Sequence, residues 1–161
     1  IARFPDNLTA QELIDMIKDV RGEKAYEDHL IRMFELGNYL DHNLRNLSGG
    51  TRQKINLVLA LMFDSPVIIL DEPTVGLDPV ALLRFKELLI DLKEHGKTII
   101  LTTHIMSIVE QLSDFIVFLL EGKVYFTGTI PELLMSQDQT TLEKAIANIL
   151  EMRSHAENIQ V

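Results

Sequence analysis

The sequence predicts an α/β fold in which a small all-helical unit precedes a parallel sheet with flanking helices. The run Val67–Leu70 is apolar without alternation, as expected of a parallel strand covered on both faces. After Leu47, helical patterns alternate with short strand patterns, which is typical of parallel α/β sheets. Residues 9–46, by contrast, contain only helical signals.

The helical unit begins with a capping box. Thr9 is the predicted N-cap, and Glu12 stands three positions later, where its side chain can bond back to the N-cap backbone. A second helix is predicted from about Glu23 to Leu36, and Gly37 is the glycine expected to end it.

The α/β part opens with a helix predicted from about Gly49 to Asp64. Its second half, Leu57–Phe63, is apolar on nearly every side and should therefore be buried. A strand at Val67–Leu70 follows, and the next helix begins at Asp78-Pro79, with aspartate as the N-cap and proline in the first turn.

The remaining elements are short. Gly96 ends the preceding helix, Thr98–Thr102 is a strand, and a helix follows from about Ile105 to Leu112. The segments Phe115–Leu120 and Val124–Thr127 form a predicted hairpin. A last helix is indicated by apolar residues at helical spacing: Leu142, Ala145, Ile146, Ile149 and Leu150.

Composition narrows the classes of function. The 161 residues are 47% hydrophobic and 24% charged, which suits one globular domain with a real core. A net charge of −9 without a basic stripe argues against direct binding of nucleic acid. The absence of cysteine excludes disulfides and thiolate metal sites. The chain opens on Ile1 rather than on methionine, so we expect a fragment of a longer protein.

Polar residues follow both predicted parallel strands at their carboxyl ends, where ligands of open parallel sheets bind. On an extended chain, adjacent carboxylates point in different directions. Asp71 can therefore hold Mg²⁺, through water, while Glu72 acts as general base on an attacking water. His104 can donate to a γ-phosphate or hold that water in line.

Each of these residues also has an ordinary structural explanation. Asp71 could cap a turn before Pro73, and His104 could cap the helix that follows it. Their occurrence at the ends of consecutive strands favours the functional interpretation.

The segment Ser48-Gly49-Gly50 begins the buried helix. Ser48 can cap it, and the glycines leave backbone N–H groups open to a phosphate. The alternative is a capped turn with two glycines, and Gly76-Leu77-Asp78 could likewise be only a turn and an N-cap. Arg52 and Lys54 are expected on a solvated face, with Arg52 able to add positive charge near the phosphates.

A phosphate loop of the form G-x-x-x-x-G-K-[ST] is absent from the 161 residues. The nearest string, Gly96-Lys97-Thr98, has Asp91 in place of the first glycine and lies where a helix ends and a strand begins. The chain is therefore predicted to carry the second half of a nucleotide-hydrolysing site, without the half that grips the phosphates.

The motifs, in this order and spacing, resemble those of ATP-binding cassette (ABC) ATPases. LSGGTRQ at 47–53 resembles the signature motif, and IILDEPT at 68–74 resembles the Walker B segment. Gly76-Leu77-Asp78 is similar to the D-loop and His104 to the switch histidine. The resemblance runs from about residue 8 to about residue 135.

The resemblance implies part of a P-loop NTPase-like parallel sheet, with a helical subdomain at 1–46, the second half of the catalytic core at 47–135 and a helical tail at 136–161. It implies the cofactors ATP and Mg²⁺ and a dimer that sandwiches two nucleotides. The implied site residues are, by role, Glu72 and His104 for catalysis, Asp71 for the metal, and Ser48, Gly49, Gly50, Gln53 and Asp78 for the nucleotide.

In such a dimer, Ser48 and Gly50 contact the γ-phosphate held by the opposite subunit. The family's phosphate loop, adenine-stacking aromatic residue and Q-loop glutamine all precede about residue 8. Gln11 lies inside the first helix, so the Q-loop role is not carried over to it.

The leading hypothesis is the ATP-hydrolysing subunit of a transporter, peripheral on the cytoplasmic face of the membrane. Its partners would be a second ATPase subunit and separate transmembrane permease subunits, which residues 9–46 would contact. One alternative is a soluble cassette ATPase acting on ribosomes or DNA. Another is a non-catalytic interaction module. The acidic charge and the lack of long coiled-coil or basic insertions favour the transporter. The chain alone is expected to be inactive.

Overall fold

The structure is a computed structural model that describes residues 4–158, with 152–158 given as helical backbone only. The outermost residues of the predicted helical subdomain and tail, 1–3 and 159–161, lie outside the described residues. The chain divides into two compact units between Thr102 and Thr103.

The described part of the first unit contains helices and a two-stranded sheet. In chain order they are α1 (Ala10–Arg21), α2 (Glu27–Met33), α3 (Gly49–Leu61), β1 (Val67–Asp71), α4 (Pro79–Glu94) and β2 (Thr98–Thr102). Single turns of 3₁₀ helix at Gly37–Tyr39 and Leu44–Asn46 connect α2 to α3.

Helix α1 begins with the predicted capping box. The Glu12 N–H donates to Thr9 Oγ1 at 3.1 Å, and the Thr9 N–H donates to Glu12 Oε2 at 2.8 Å. Both bonds satisfy backbone N–H groups that a helix start otherwise leaves open. The predicted start of the first helix is confirmed.

Helix α2 ends differently from the prediction, which is wrong about Gly37. The helix ends at Met33, and the left-handed residue after it is Glu35, with φ of 57°. Arg84 of α4 stabilises this end, since its Nη1 donates to the Met33 carbonyl at 2.6 Å and to the Glu35 carboxylate at 2.8 Å. A tertiary contact therefore takes the place of a glycine.

Helices α3 and α4 lie close to their predicted positions. Helix α3 is deeply buried at Ile55, Leu57 and Val58, and it ends at Leu61, a few residues before the predicted Asp64. Helix α4 begins at the predicted Asp78 cap, and Gly96, with φ of 80°, follows its end as predicted.

Strands β1 and β2 pair in parallel, in a register that places Val67 opposite Thr98 and Asp71 opposite Thr102. Helix α3 contacts β1, and α4 contacts β2. Because equivalent ends of parallel strands lie together, the carboxyl ends of both strands form one edge of the sheet.

The two faces of this sheet differ in burial. Ile68 and Leu70 are buried, whereas Val67 is 51% exposed, Ile69 70% and Ile100 51%. The expectation that β1 is covered on both faces is wrong for the described chain. Side chains of a strand alternate between faces, and the described helices of the first unit cover only one of them. The uncovered side, with Val67, Ile69 and Ile100, is called the open face below.

The second unit consists of α5 (Met106–Leu112), β3 (Ile116–Leu120), β4 (Lys123–Gly128), α6 (Ile130–Gln137) and α7 (Leu142–Asn158). Strands β3 and β4 form the predicted antiparallel hairpin. Its turn residues Glu121 and Gly122 both have positive φ, 47° and 74°, as a type I′ hairpin turn requires.

The core of the second unit shows where the apolar stripe of the tail docks. Leu142 and Ala145 are fully buried with Leu133 of α6, and Ile146 and Ile149 pack partly buried around them. Within the described residues, no helix is both long and apolar enough to cross a membrane.

Candidate functional site

The first group of candidate residues lies where β1 ends. Asp71 is the last residue of the strand, and both it and its register partner Thr102 are exposed. Thr102 Oγ1 donates to Asp71 Oδ1 at 2.5 Å, a short hydrogen bond between a hydroxyl and a carboxylate. This contact runs across the strands, so it does not support the alternative of a cap on the turn before Pro73. The neighbouring strand orients the carboxylate.

The chain leaves β1 at Glu72 through a left-handed residue. Its φ is 45°, and this left-handed conformation costs a residue other than glycine about 1–2 kcal/mol. The Glu72 N–H reaches both the Thr102 carbonyl, at 3.1 Å, and Thr102 Oγ1, at 3.2 Å. The expectation of an extended chain through Asp71 and Glu72 is therefore wrong at Glu72. The turn, and not strand alternation, sets the direction of the Glu72 side chain.

The second group lies at the start of α3. Ser48 is the N-cap, and its Oγ accepts the Thr51 N–H at 3.1 Å. Ser48 and Gly49 are exposed, and Gly50 is half-buried. The first N–H groups of a helix have no partners within it, and they carry the positive end of the helix dipole. The cap is the ordinary structural role anticipated for Ser48, and the same helix start can accept an anion.

The loop after β1 packs directly on the start of α3. A Cβ on Gly50 would lie 2.5 Å from the Gly76 carbonyl oxygen, so only glycine fits there. Gln53 Nε2 donates to the Pro73 carbonyl at 2.8 Å. Gly76 itself has φ of 80°, which favours glycine. We call residues 73–78 the linking loop, because these contacts join the end of β1 to the start of α3.

Lys54 adds an ion pair to the same arrangement, so the expectation that it lies on a solvated face is wrong. Its Nζ lies 2.6 Å from Asp78 Oδ2, and its side chain is only 20% exposed. The hydrogen bond from Lys54 is the main cause that lowers the pKa of Asp78 to about 2. Asp78 also caps α4 with its other oxygen, so it is ionised and held from two sides at neutral pH. Arg52 is half-exposed.

His104 is exposed and belongs to the second unit. The N–H of Ile105, at the start of α5, is satisfied by Thr103 Oγ1 at 3.1 Å. The role of His104 stays a prediction.

The donor set suits Mg²⁺ bound together with a nucleotide. Mg²⁺ is usually held by one or two carboxylates plus substrate phosphates, and not by a cage of protein ligands. Among the described residues, no three or more His, Cys, Asp or Glu side chains gather into a metal site. Asp71 supplies one oriented carboxylate, whose lone pairs are not all used by Thr102. The Asp71 carboxylate therefore suits a Mg²⁺ ion, and the start of α3 suits a phosphate group.

Sequence reasoning missed two residues of this arrangement. The sequence pattern identifies Thr102 only as the end of a strand, and it predicts only a solvated face for Lys54. The strand prediction held a usable signal for Thr102, because it aligns the ends of the two strands. No comparable signal exists for Lys54, since its partner Asp78 is far along the chain.

Comparisons with known proteins bear on this geometry. Residues 3–110, well over half of the chain, match a family model described as "AAA domain, putative AbiEii toxin, Type IV TA system". An uncharacterised ABC transporter ATP-binding protein of Synechocystis is 35% identical over 140 residues, which cover 83% of this chain and 40% of that protein. NatA, an ABC transporter ATP-binding protein of Bacillus subtilis, is 31% identical over 137 residues, or 82% of this chain and 56% of NatA.

Two solved structures of ABC proteins are also similar to this chain. The ATP-binding subunit of an ABC transporter matches with a TM-score of 0.84 and 28% identity, over 92% of this chain and 65% of that one. A dimeric post-hydrolysis state of the cassette MJ0796, bound to ADP and phosphate, matches with a TM-score of 0.67 and 28% identity, over 80% of this chain and 59% of that one.

The chain therefore belongs to the AAA-domain family of the matching model, and its relatives and structural neighbours place it with the ATP-binding cassette (ABC) ATPases. This confirms the resemblance and the α/β fold predicted from the sequence. The chain spans about half the length of these two curated relatives, 40% of the Synechocystis protein and 56% of NatA.

Proposed function

We propose that this chain is the second half of an ATP-hydrolysing cassette that powers substrate movement through the membrane subunits of an ABC transporter. The observation that carries the proposal is the pair of carboxylate residues at the end of β1. Asp71 is oriented by Thr102, and Glu72 is held in a left-handed turn beside it. The relatives' names, which describe ATP-binding proteins of ABC transporters, support the assignment.

Each carboxylate has a separate proposed role. Asp71 holds Mg²⁺ through water, and Glu72 accepts a hydrogen bond from the attacking water and acts as general base. His104 holds that water in line, which matters because phosphoryl transfer depends chiefly on positioning and charge stabilisation. When bound, Mg²⁺ neutralises charge that develops on the phosphates.

The start of α3 is proposed to act on nucleotide held by a second cassette. Ser48, Gly49 and Gly50 present backbone N–H groups at an accessible helix start, which suits the γ-phosphate. Gln53 and Asp78 belong to the same proposed site, and their contacts hold the linking loop against α3. The dimeric cassette structures among the neighbours support a two-subunit arrangement.

The organisation along the chain remains part of the proposal. Residues 1–46 form the helical subdomain that contacts the permease subunits, 47–135 the second half of the catalytic core and 136–161 the tail. The cassette would lie peripherally on the cytoplasmic face of the membrane. The phosphate loop comes from a part of the cassette outside residues 1–161, because none occurs within them. Below, "the cassette" means residues 1–161 joined to such a phosphate-loop half.

The first test compares the chain alone with the cassette. Residues 1–161 should give a flat calorimetric titration with Mg²⁺–ATP, because they lack the lysine and the nest of N–H groups that hold a β-phosphate. Light scattering should give more than one chain per particle, since the open face exposes Val67, Ile69 and Ile100. The cassette should bind and hydrolyse ATP.

Two results would count against this expectation. Micromolar, Mg²⁺-dependent ATP binding by monomeric residues 1–161 would show that the phosphate loop is not needed. A folded cassette that binds ATP without hydrolysing it would favour a non-catalytic interaction module.

The second test uses Ser48→Arg in the cassette. The larger cation should block hydrolysis but spare ATP binding by a monomer, because Ser48 is proposed to contact nucleotide held by the other subunit. Mixing this variant with one that lacks its own phosphate-loop lysine should restore one competent site per mixed dimer. Hydrolysis that stays at zero in the mixture, with dimers shown to form, would contradict action across subunits.

A further inference from the structure

We propose that Thr102 is a positioning residue whose single hydroxyl group holds both the Asp71 carboxylate and the Glu72 backbone of the hydrolytic site. The inference rests on the proposed function, since it assumes that Asp71 serves the metal and Glu72 the attacking water. It adds a residue from β2 to roles so far assigned to the end of β1.

The hydroxyl makes two different hydrogen bonds. As a donor, Thr102 Oγ1 bonds to Asp71 Oδ1 at 2.5 Å. As an acceptor, it lies 3.2 Å from the Glu72 N–H. A hydroxyl can do both at once, because it carries one proton and two lone pairs. One group therefore restrains the Asp71 side chain and the Glu72 backbone together.

These two hydrogen bonds occur where the backbone departs from its preferred conformation. Glu72 is left-handed, with φ of 45°, and such residues persist only where their surroundings hold them. Two oxygens of Thr102 accept from the same N–H: Oγ1, and the backbone carbonyl at 3.1 Å. Removing the hydroxyl leaves the carbonyl bond intact, so a variant at this position loosens the turn without deleting its backbone contact.

Because of where Thr102 lies, its positioning role can be tested apart from any role in folding. It is the last residue of β2 and is exposed, so its side chain adds little to the core. Valine has nearly the same shape and is as favourable in a strand. Thr102→Val should therefore keep the fold while it frees the Asp71 carboxylate to rotate.

The experiment measures Mg²⁺ binding apart from activity. Mg²⁺ is titrated calorimetrically into the cassette in the presence of a non-hydrolysable ATP analogue, and kcat and KM for ATP are measured in parallel. Thr102→Val should weaken Mg²⁺ binding about tenfold, at the lower end of the effect typical of groups that orient metal ligands. We expect kcat to fall by a similar factor and KM for ATP to change by less than about twofold. Thr102→Ser, which keeps the hydroxyl, should restore both quantities to within about threefold of the wild-type values.

Thr98→Val is the matched control. Thr98 is also an exposed threonine of β2, but it lies at the opposite end of the strand and pairs with Val67. The control should leave Mg²⁺ affinity and kcat unchanged. Thermal unfolding of all three variants checks that the fold is kept.

The outcomes are distinguishable. If Thr102→Val binds Mg²⁺ and turns over like the wild type while Glu72→Gln is inactive, the positioning role is overturned and the proposed function stands. If Glu72→Gln is also fully active, the proposed function fails, and the role of Thr102 fails with it. If Thr102→Val loses its fold, Thr102→Ser provides the test. A folded serine variant with weakened Mg²⁺ binding overturns the assignment to the hydroxyl. A folded serine variant with the Mg²⁺ affinity of the wild type supports it.

Discussion

Glu72→Gln in the cassette is expected to lower the rate of ATP hydrolysis by about 10²–10⁴-fold, the usual effect of removing a general base. Glutamine keeps the size of the side chain but cannot take a proton from water. ATP should therefore still bind, and nucleotide should remain trapped unhydrolysed. Single-turnover hydrolysis and nucleotide retention measure the two effects separately.

Glu121→Gln provides the control for this substitution. Glu121 is also a glutamate with positive φ, 47°, but it lies in the turn between β3 and β4 and has no proposed role in catalysis. Its replacement should leave the rate unchanged. A Glu72→Gln cassette that turns over near the wild-type rate would exclude Glu72 as the general base.

Gly50→Ala should destabilise the first unit by about 1–3 kcal/mol, the usual cost of forcing an extra carbon into a packed site. The new Cβ would lie 2.5 Å from the Gly76 carbonyl oxygen. The Cβ is fixed rigidly to the backbone of residue 50 and the oxygen is a backbone atom. Neither can turn away, so either α3 or the linking loop must shift. Urea unfolding of residues 1–161, at one fixed protein concentration because the chain is expected to associate, measures the change.

Gly49→Ala is the neighbouring control, and the opposite sign is expected. A Cβ on Gly49 would meet nothing within 4 Å. Alanine there should stabilise the chain by about 0.4–1 kcal/mol, because it reduces the freedom of the unfolded state. Equal effects of the two substitutions would show that the contact between Gly50 and Gly76 does not constrain the linking loop. In the cassette, Gly50→Ala should also lower the rate of hydrolysis, since the linking loop follows Glu72 directly.

The candidate site could be predicted from sequence only as far as its motifs extend. Asp71 and Glu72 were recognised by their place after an apolar run, and Ser48 by its place before two glycines. Comparison with ABC ATPases confirms the family to which those motifs pointed. The individual roles of these residues remain predictions. The contacts of Thr102 and Lys54 were missed, because each joins residues distant along the chain.

The sequence by itself determined the starts of α1 and α4 and the glycine that follows α4. The capping box of Thr9 and Glu12, the Asp78 cap and Gly96 all act within one turn of helix, so their partners are neighbours in the chain. The apolar stripe of the tail likewise predicted a helix, although not what it would pack against. Such features depend on local geometry that residue type alone specifies.

Only the tertiary structure decided where the chain turns without glycine and which faces are covered. Glu35 ends α2 because Arg84 of another helix bonds to that end, and Glu72 turns left-handed where Thr102 of the neighbouring strand accepts its N–H. Apolar composition likewise predicted burial of both faces of β1, but burial requires a layer to pack on each face. Among the described residues, the helices of the first unit supply that layer on one face, and Ile69 stays exposed on the other. Contacts between distant residues and the presence of packing partners are properties of the folded chain, and no local pattern encodes them.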